Sequence, residues 1–329
     1  MYQNLIMSVP VVDKSAKNDK FVFIVGSPRS GTTILGELLD KHPQVSQWYE
    51  PYFVWDRGFR LAPHDERTAE DATQKVQKQI LKDFCDYKKK KKCSVLIDKS
   101  PRNSLKIPFI LKIFPGARFV HLLRDGRDVT LSIHKEWQRR RKIMNNPNNR
   151  GQVDYLRAYR VLKNFLARQT YARDKLKALW FETHGHLLNQ TKLLSRLRWN
   201  GEIGWGPRFK DWETTYSQTS LLQFNAHQWQ ACVGTVKRDW KRIPQQNRLT
   251  IRYEDLIVNP NSRIDELLNF IGFQNNREFT STLPKLQADN YNKWKREFTP
   301  KQLEEIHPIL TPALVEFGYA ESEAWIRKS

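Results

Sequence analysis

The chain has 329 residues, 39% of them hydrophobic, enough to bury a full core, so a wholly disordered chain is excluded. With 56 Lys plus Arg against 35 Asp plus Glu it carries a formal charge of +21, which points to a negatively charged ligand or partner: phosphate, sulfate, nucleic acid or anionic glycan. Three cysteines, Cys85, Cys93 and Cys232, are too few for a disulfide scaffold and lack the paired C-x-x-C spacing of a zinc site, which fits a reducing compartment. No run of about eighteen apolar residues occurs, and the N-terminus has neither a basic n-region nor a long apolar h-region. The expectation is a soluble, cytoplasmic protein without a membrane span.

Residues 1–20 are mixed and polar and are expected to form a flexible tail. Phe21 to Gly26 (FVFIVG) is a continuous apolar run of the kind that makes a buried parallel strand. Ile34, Leu35, Leu38 and Leu39 then recur at helical spacing and stop before Pro43. A second helix is expected from about Glu66 to Tyr87, ending in the lysine run Lys88 to Lys92, and Ser94 to Asp98 (SVLID) reads as a short strand. NSLKIPFILKIFPGA is a helix candidate interrupted at Pro108, Arg118 to Arg124 is a strand, and DGRDVTLSIHKEWQRRRK opens the next helix. From Trp137 to about Trp240 only amphipathic helical patterns appear, before Arg248 to Tyr253 restores a strand and the remainder reads as helical. Alternating strands and helices predict an α/β fold, a P-loop-like parallel sheet flanked by helices, as a single domain over 21–329 with a large helical insertion at about 138–240.

Gly26-Ser27-Pro28-Arg29-Ser30-Gly31-Thr32-Thr33 lies between the first strand and first helix, where backbone N–H groups and the helix dipole favour an anion. It resembles G-x-x-x-x-G-K-[ST], but Thr32 stands where a nucleotide triphosphatase carries its lysine, and the nearby positive charge is Arg29. The plainer alternative is a Ser/Gly turn with Thr32 as the helix N-cap.

These residues resemble the sulfotransferases that use 3′-phosphoadenosine-5′-phosphosulfate (PAPS), whose P-R-S-G-T-T loop holds the 5′-phosphosulfate. The resemblance implies that Arg29, Ser30, Gly31, Thr32 and Thr33 contact that group, and that no metal takes part. LLRDGRDVTLSIHK resembles the family's 3′-phosphate element, implying Arg124 and Ser132 as its residues. Arg127 and Asp128 within it have a blander reading, a surface ion pair near a helix N-terminus. DKSPR places Lys99 near a strand's C-terminal end, IRYEDL brings Tyr253 and Glu254, and the K-W element, Lys293 and Trp294, resembles the segment that closes over the nucleotide. A packed tryptophan with solvated lysines is the alternative for that last element.

The implied reaction is in-line transfer of a sulfuryl group from PAPS to an acceptor hydroxyl. It needs positive charge, for which Arg29 and Lys99 are the candidates, and a base. Glu50, in QWYEPYFVW, is that base by resemblance to the Golgi-type carbohydrate and tyrosylprotein branch, which carries a glutamate at a similar distance after the phosphate loop. The cytosolic branch uses a histidine two positions after the DKSPR-type lysine, and Pro101 stands there. A surface glutamate or an arginine's salt-bridge partner is the alternative for Glu50.

Between Trp137 and Trp180 there are 12 Lys or Arg residues and 2 acidic ones, nearly half of the net charge. Such a surface would attract an anionic acceptor, carbohydrate above all, with Tyr155, Tyr159, Phe165 and Tyr171 interleaved; a solvated helix face with a packed aromatic side is the competing reading. Trp205 and Trp212, in GWGPRFKDW, are candidates to line an acceptor cleft. Two readings from other classes remain: a P-loop kinase, which requires ATP and magnesium, and a non-catalytic binder of anionic polymers. Nucleic acid is not the expected partner, and the sequence leaves oligomeric state open.

Overall fold

The computed structural model describes residues 20–59, 62–145, 205–274, 279 and 291–328. Residues 1–19 of the expected N-terminal tail and most of the expected insertion, residues 146–204, lie outside the described residues, while Lys20, expected in the tail, is the first residue of a strand.

Five parallel strands form one sheet: β1 (Lys20–Val25), β2 (Val45–Tyr49), β3 (Val95–Lys99), β4 (Arg118–Leu123) and β5 (Arg248–Arg252), in the order β2-β3-β1-β4-β5. The central strands are buried on both faces, which is why β1 reads as an unbroken apolar run rather than an alternating one. Its side chains still divide by the two-residue period. Phe21, Phe23 and Val25 point into one core with Trp48, Phe84, Phe114 and Phe119, while Val22 and Ile24 point into the other with Leu35, Leu38, Val120 and Leu267.

Helices cover both faces. Following the chain, α1 (Thr32–Leu39) leads to β2, α2 (Tyr52–Trp55) and α3 (Gln74–Lys91) lead to β3, and α4 (Ile107–Ile113) precedes β4. Then come α5 (Gly126–Asn145), α6 (Trp212–Gln218) and α7 (Leu221–Trp240), and after β5 follow α8 (Tyr253–Val258), α9 (Pro260–Ile271), α10 (Trp294–Glu297) and α11 (Pro300–Glu316). A third core unites α5, α7 and α11 around Trp137, Phe224, Trp229, Ile306 and Leu310. No helix among the described residues is long and apolar enough to cross a membrane.

Two boundaries differ from the sequence expectation. The helix expected from Glu66 begins only at Gln74, with the Thr73 hydroxyl accepting the Val76 N–H as its N-cap. The intervening residues are held by long-range bonds instead: Arg67 N–H donates to Leu105 O, and the Glu66 carboxylate accepts the Lys210 N–H. Pro108 does not interrupt a helix either. It occupies the first turn of α4, where its missing N–H removes no helical bond, and the residues before it form a separate 3₁₀ turn, Pro101–Leu105.

Phe84 is the hub of the aromatic core, with its ring centroid 5.0 Å from those of Trp48 and Phe114, 5.2 Å from Trp55 and 5.9 Å from Phe21. Phe84→Ala is expected to cost about 3–5 kcal/mol of stability. Urea unfolding checks this, as a lower midpoint at unchanged slope.

Candidate active site

In a parallel sheet all C-terminal strand ends face the same side, so the residues that follow them share one edge. The chain leaves β1 towards β2 on one side and leaves β4 towards β5 on the other, which opens a crevice between the loops after β1 and β4.

The loop after β1 is shaped by close packing. Ser104 Oγ accepts the Gly26 N–H at 2.8 Å and donates to Gly26 O at 3.0 Å, tying the loop to the 3₁₀ turn after β3. Arg29 (φ 67°) and Gly31 (φ 92°) are both left-handed. A Cβ at Gly31 would lie 2.5 Å from Tyr253 Cδ2, so only glycine permits this approach of the loop to the Tyr253 ring. Gly31, not Thr32, is the N-cap of α1; Thr32 is the first helical residue and is buried.

Residues far apart in sequence meet over this loop. Arg124, following β4, donates from Nη1 to Arg29 O at 2.9 Å and lies with its guanidinium 4.3 Å above the Tyr253 ring. Arg29 Nε in turn donates to Ser132 Oγ at 3.0 Å, one and a half turns into α5. Arg29, Gly31, Arg124, Ser132 and Tyr253 are therefore one connected group.

The second group is built on β3. Lys99 aligns with Ile24 of β1 and with Tyr49 of β2, so its backbone is level with the start of the loop after β1. Its side chain is 2% exposed and its Nζ lies 2.5 Å from Glu50 Oε1, while the Glu50 carboxylate keeps a wet side at 22% exposure. Glu50 reaches that ammonium from a left-handed backbone, φ 46°, pinned by its N–H donating to Lys99 O and by its carbonyl accepting the Tyr52 N–H. On the same strand end, burial pushes the Asp98 carboxyl up to about 6, against donation from Ser100, Asn103 and Trp55.

The remaining elements are placed differently from expectation. Arg127 and Asp128 are not a surface pair. Arg127 is buried, ion-paired to Asp125 at 2.6 Å, and donates to Tyr319 O. Asp128 accepts the N–H groups of Asn292 and Trp294 at 2.9 Å each. Trp294 is 2% exposed, with the Arg127 guanidinium 4.0 Å over its ring and Trp325 at 5.8 Å, so the ring is part of the core rather than a platform open to a nucleotide. Lys293, the residue before α10, is half-buried. Trp212 is buried too, its Nε1 donating to Pro63 O, whereas Trp205 is half-buried near the Arg140 guanidinium.

The sequence brought out Glu254 with Tyr253 but not its part in fixing the β4–α5 turn. Glu254 accepts the Asp125 N–H at 3.0 Å and the Tyr319 hydroxyl at 2.9 Å, so the segment carrying Tyr253 also holds the residue after Arg124. The sequence signal was an acidic residue directly after Tyr253, which by itself looks like an ordinary first-turn carboxylate of a helix.

A family model described as "Sulfotransferase family" matches residues 22–183. That segment, just under half of the chain, is similar to the sulfotransferase family. The match takes in the phosphate loop, Glu50, Lys99, Arg124 and Ser132, while Tyr253, Lys293 and Trp294 lie beyond it. The chain is similar to a "Putative protein-tyrosine sulfotransferase" of Caenorhabditis briggsae, 28% identical over 123 residues, 35% of this chain and 43% of that protein. It is similar to the "Protein-tyrosine sulfotransferase" of Drosophila melanogaster at 30% over 123 residues, 34% of this chain and 24% of that protein. The matched stretch thus spans less than half the length of either relative. Among solved structures it is similar to the sulfotransferase domain of the Synechococcus PCC 7002 olefin synthase, at 16% identity and TM-score 0.47, covering 89% of this chain and 94% of that one.

The Gly31–Tyr253 approach couples the family segment to β5. Gly31→Ala is expected to cost about 1–3 kcal/mol in thermal unfolding, and Gly31→Ala combined with Tyr253→Ala should lose less than the two single variants summed. Strict additivity would show that the two residues do not meet.

Proposed function

We propose that this chain is a sulfotransferase that moves the sulfuryl group from PAPS to an acceptor hydroxyl, with Glu50 as base. The observation that carries the proposal is the Glu50–Lys99 pair, set level with the start of the phosphate loop on the C-terminal edge of the sheet. A carboxylate with a wet side next to a buried ammonium supplies both of the things the reaction needs, a proton acceptor and fixed positive charge.

PAPS supplies the activated sulfuryl group. Overall, the acceptor oxygen forms a bond to sulfur while the bond from sulfur to the 5′-phosphate oxygen breaks and its electron pair leaves with adenosine 3′,5′-bisphosphate. Glu50 takes the acceptor's proton on a carboxylate oxygen. The loop N–H groups at the start of α1 and the Arg29 guanidinium provide donors for a 5′-phosphosulfate, at the positive end of that helix. Arg124, over the Tyr253 ring and bonded to Arg29 O, and Ser132, bonded to Arg29 Nε, are the residues for the 3′-phosphate. Because Arg29 touches Arg124 through its carbonyl and Ser132 through its guanidinium, one residue joins the two phosphate subsites. Lys293 is assigned to the same nucleotide by resemblance; Trp294 would have to leave its packing against Arg127 to stack on it.

The relatives are named for protein tyrosine, and a phenolic hydroxyl is a suitable acceptor for a carboxylate base. The expectation of an anionic carbohydrate acceptor rested on the basic stretch from Trp137 to Trp180, most of which lies outside the described residues.

Calorimetry with adenosine 3′,5′-bisphosphate tests the donor site. Binding should require the 3′-phosphate, exceed that of AMP and of ATP with magnesium, and collapse in Arg124→Ala. A preference for magnesium ATP would overturn the proposal in favour of a kinase. Glu50→Gln should keep the affinity for adenosine 3′,5′-bisphosphate and lose about 10²–10⁴-fold in turnover of PAPS; equal turnover would remove Glu50 from the chemistry.

A further inference from the structure

Beside Glu50 the fold buries two cations that, among the described residues, make no ion pair. The group is assembled from three segments: the loop of Asp56, Asp65 and Arg67, the turn carrying Arg102 and Lys106, and Arg208 before α6. Arg102 pairs with Asp56 at 3.3 Å and with Asp65 at 3.5 Å, and Arg208 pairs with Asp65 at 3.3 Å. Burial pushes the Asp65 carboxyl up, but Arg102 and Arg208 outweigh it and hold Asp65 below the ordinary carboxylate range. Those two carboxylates are thereby taken.

Two cations are left over. Lys106 is 2% exposed and Arg67 is 9% exposed, and among the described residues neither makes an ion pair. Lys106 Nζ lies 5.8 Å from the centre of the Trp55 ring, and the Arg67 guanidinium lies 4.6 Å over Phe59 and bonds only to the neighbouring Glu66 carbonyl. The remaining carboxylates within electrostatic reach do not pair with them: Asp71 accepts the Thr68 N–H, and Asp98 holds Trp55, Ser100 and Asn103. Burial, with Arg102 and Arg67 nearby and only partly offset by Asp56 and Asp65, brings the Lys106 ammonium down to about 8. A buried charge without a counter-charge is expensive unless something supplies one.

The two cations sit next to the Glu50 turn. Arg102 lies 4.2 Å over the Tyr52 ring, and the Tyr52 N–H donates to Glu50 O at 2.7 Å. The cations are thus next to the Glu50 turn, on the α2 side, whereas Arg29, Arg124 and Ser132 gather over the loop between β1 and β4.

We propose that Lys106 and Arg67, with Arg102 beside them, form a second anion-binding subsite, separate from the phosphate loop, whose ligand is a single carboxylate. Guanidinium groups match a carboxylate's planar fork, and one negative charge placed between Lys106 and Arg67 relieves the burial cost of both. The carboxylate is either a free ion or part of the hydroxyl-bearing acceptor, in which case it fixes the acceptor relative to Glu50; that second source rests on the sulfotransferase reading, and the subsite itself does not.

Thermal unfolding of the full chain, with adenosine 3′,5′-bisphosphate present to fill the phosphate loop, tests this. The probes are sodium acetate against sodium chloride at equal ionic strength, and 4-hydroxyphenylacetate against 4-methylphenol. Stabilisation by acetate assigns the subsite to a free carboxylate; stabilisation by 4-hydroxyphenylacetate, with neither acetate nor 4-methylphenol effective, assigns it to the acceptor. In either case the effect should vanish in Lys106→Met, which removes the charge while keeping the bulk. It should also weaken about tenfold in apparent Kd from pH 7 to pH 9 in the unaltered chain, because Lys106 loses its proton through about pH 8. Without a carboxylate the sign for the fold runs the other way: burying the charged Lys106 costs most below pH 8, and the cost fades as pH rises. No stabilisation by either carboxylate, equal stabilisation in Lys106→Met, or equal affinity at pH 7 and pH 9 would overturn the subsite. Should Lys106→Met fail to fold, the pH comparison decides alone. Failure of adenosine 3′,5′-bisphosphate to bind would sink the donor-site reading and leave this carboxylate test intact.

Discussion

Lys99 ends a strand that is buried on both faces, and its ammonium has to find a counter-charge at the one edge where the sheet opens. It finds Glu50. A buried cation is tolerable only when paired, and breaking such a pair from one side can cost about 3–5 kcal/mol, less here because Glu50 keeps a wet side. The pair also explains the backbone: Glu50 leaves β2 in a left-handed conformation, and that turn delivers its carboxylate to Lys99 while Pro51 and the short α2 carry the chain away. Strand order, side-chain burial and the position of the Glu50 carboxylate are therefore one constraint seen at three scales.

Around that pair the molecule is organised by which strand end each group follows. Arg29 follows β1, Glu50 follows β2, Lys99 ends β3, Arg124 follows β4 and Tyr253 follows β5. None of these residues is near another in sequence except through the sheet. The turn after β4 is locked further by a buried network in which Asp125 bridges Arg127 and Glu254, Arg127 reaches Tyr319 O, and Asp128 caps the backbone at Asn292 and Trp294. The C-terminal segment thus docks on the same residues that present Arg124. A single turn sets the guanidinium and receives the end of the fold.

The alternation of apolar runs with helical spacing was enough to read the parallel sheet, because buried parallel strands are apolar on both faces and leave an unmistakable pattern in FVFIV and FVHLL. The loop from Gly26 to Thr33 was legible as a strand-to-helix turn for a local reason, since its glycine and hydroxyl residues sit between one apolar run and one helical pattern. What the sequence concealed depends on contacts between distant segments. The helix expected from Glu66 starts at Gln74 because the preceding residues are bonded to Leu105 and Lys210, which no local pattern reports. Arg127 and Asp128 read as a surface pair because neighbouring opposite charges at a helix start are common; their real partners lie at Asp125, Asn292, Trp294 and Tyr319. Trp294 was ambiguous for the same reason: a tryptophan between lysines looks exposed until Arg127 and Trp325 are seen to enclose it.

Two of the candidate residues, Arg29 and Glu50, share the left-handed backbone region that disfavours every side chain except glycine and, less strongly, asparagine and aspartate. Glycine at either position would remove the strain at no cost in backbone reach. It would also remove a charge from the C-terminal edge of the sheet, where Lys99 and Arg124 also sit. That the strain falls on one cation and one carboxylate, leaving the strand ends on either side of β3, is what separates this edge from an ordinary loop cluster: the backbone is distorted where the side chains, not the turns, are needed. The same reasoning assigns less to Lys92 and Asp211, whose left-handed backbones sit at a helix C-terminus and a helix N-cap, where chain direction alone accounts for them.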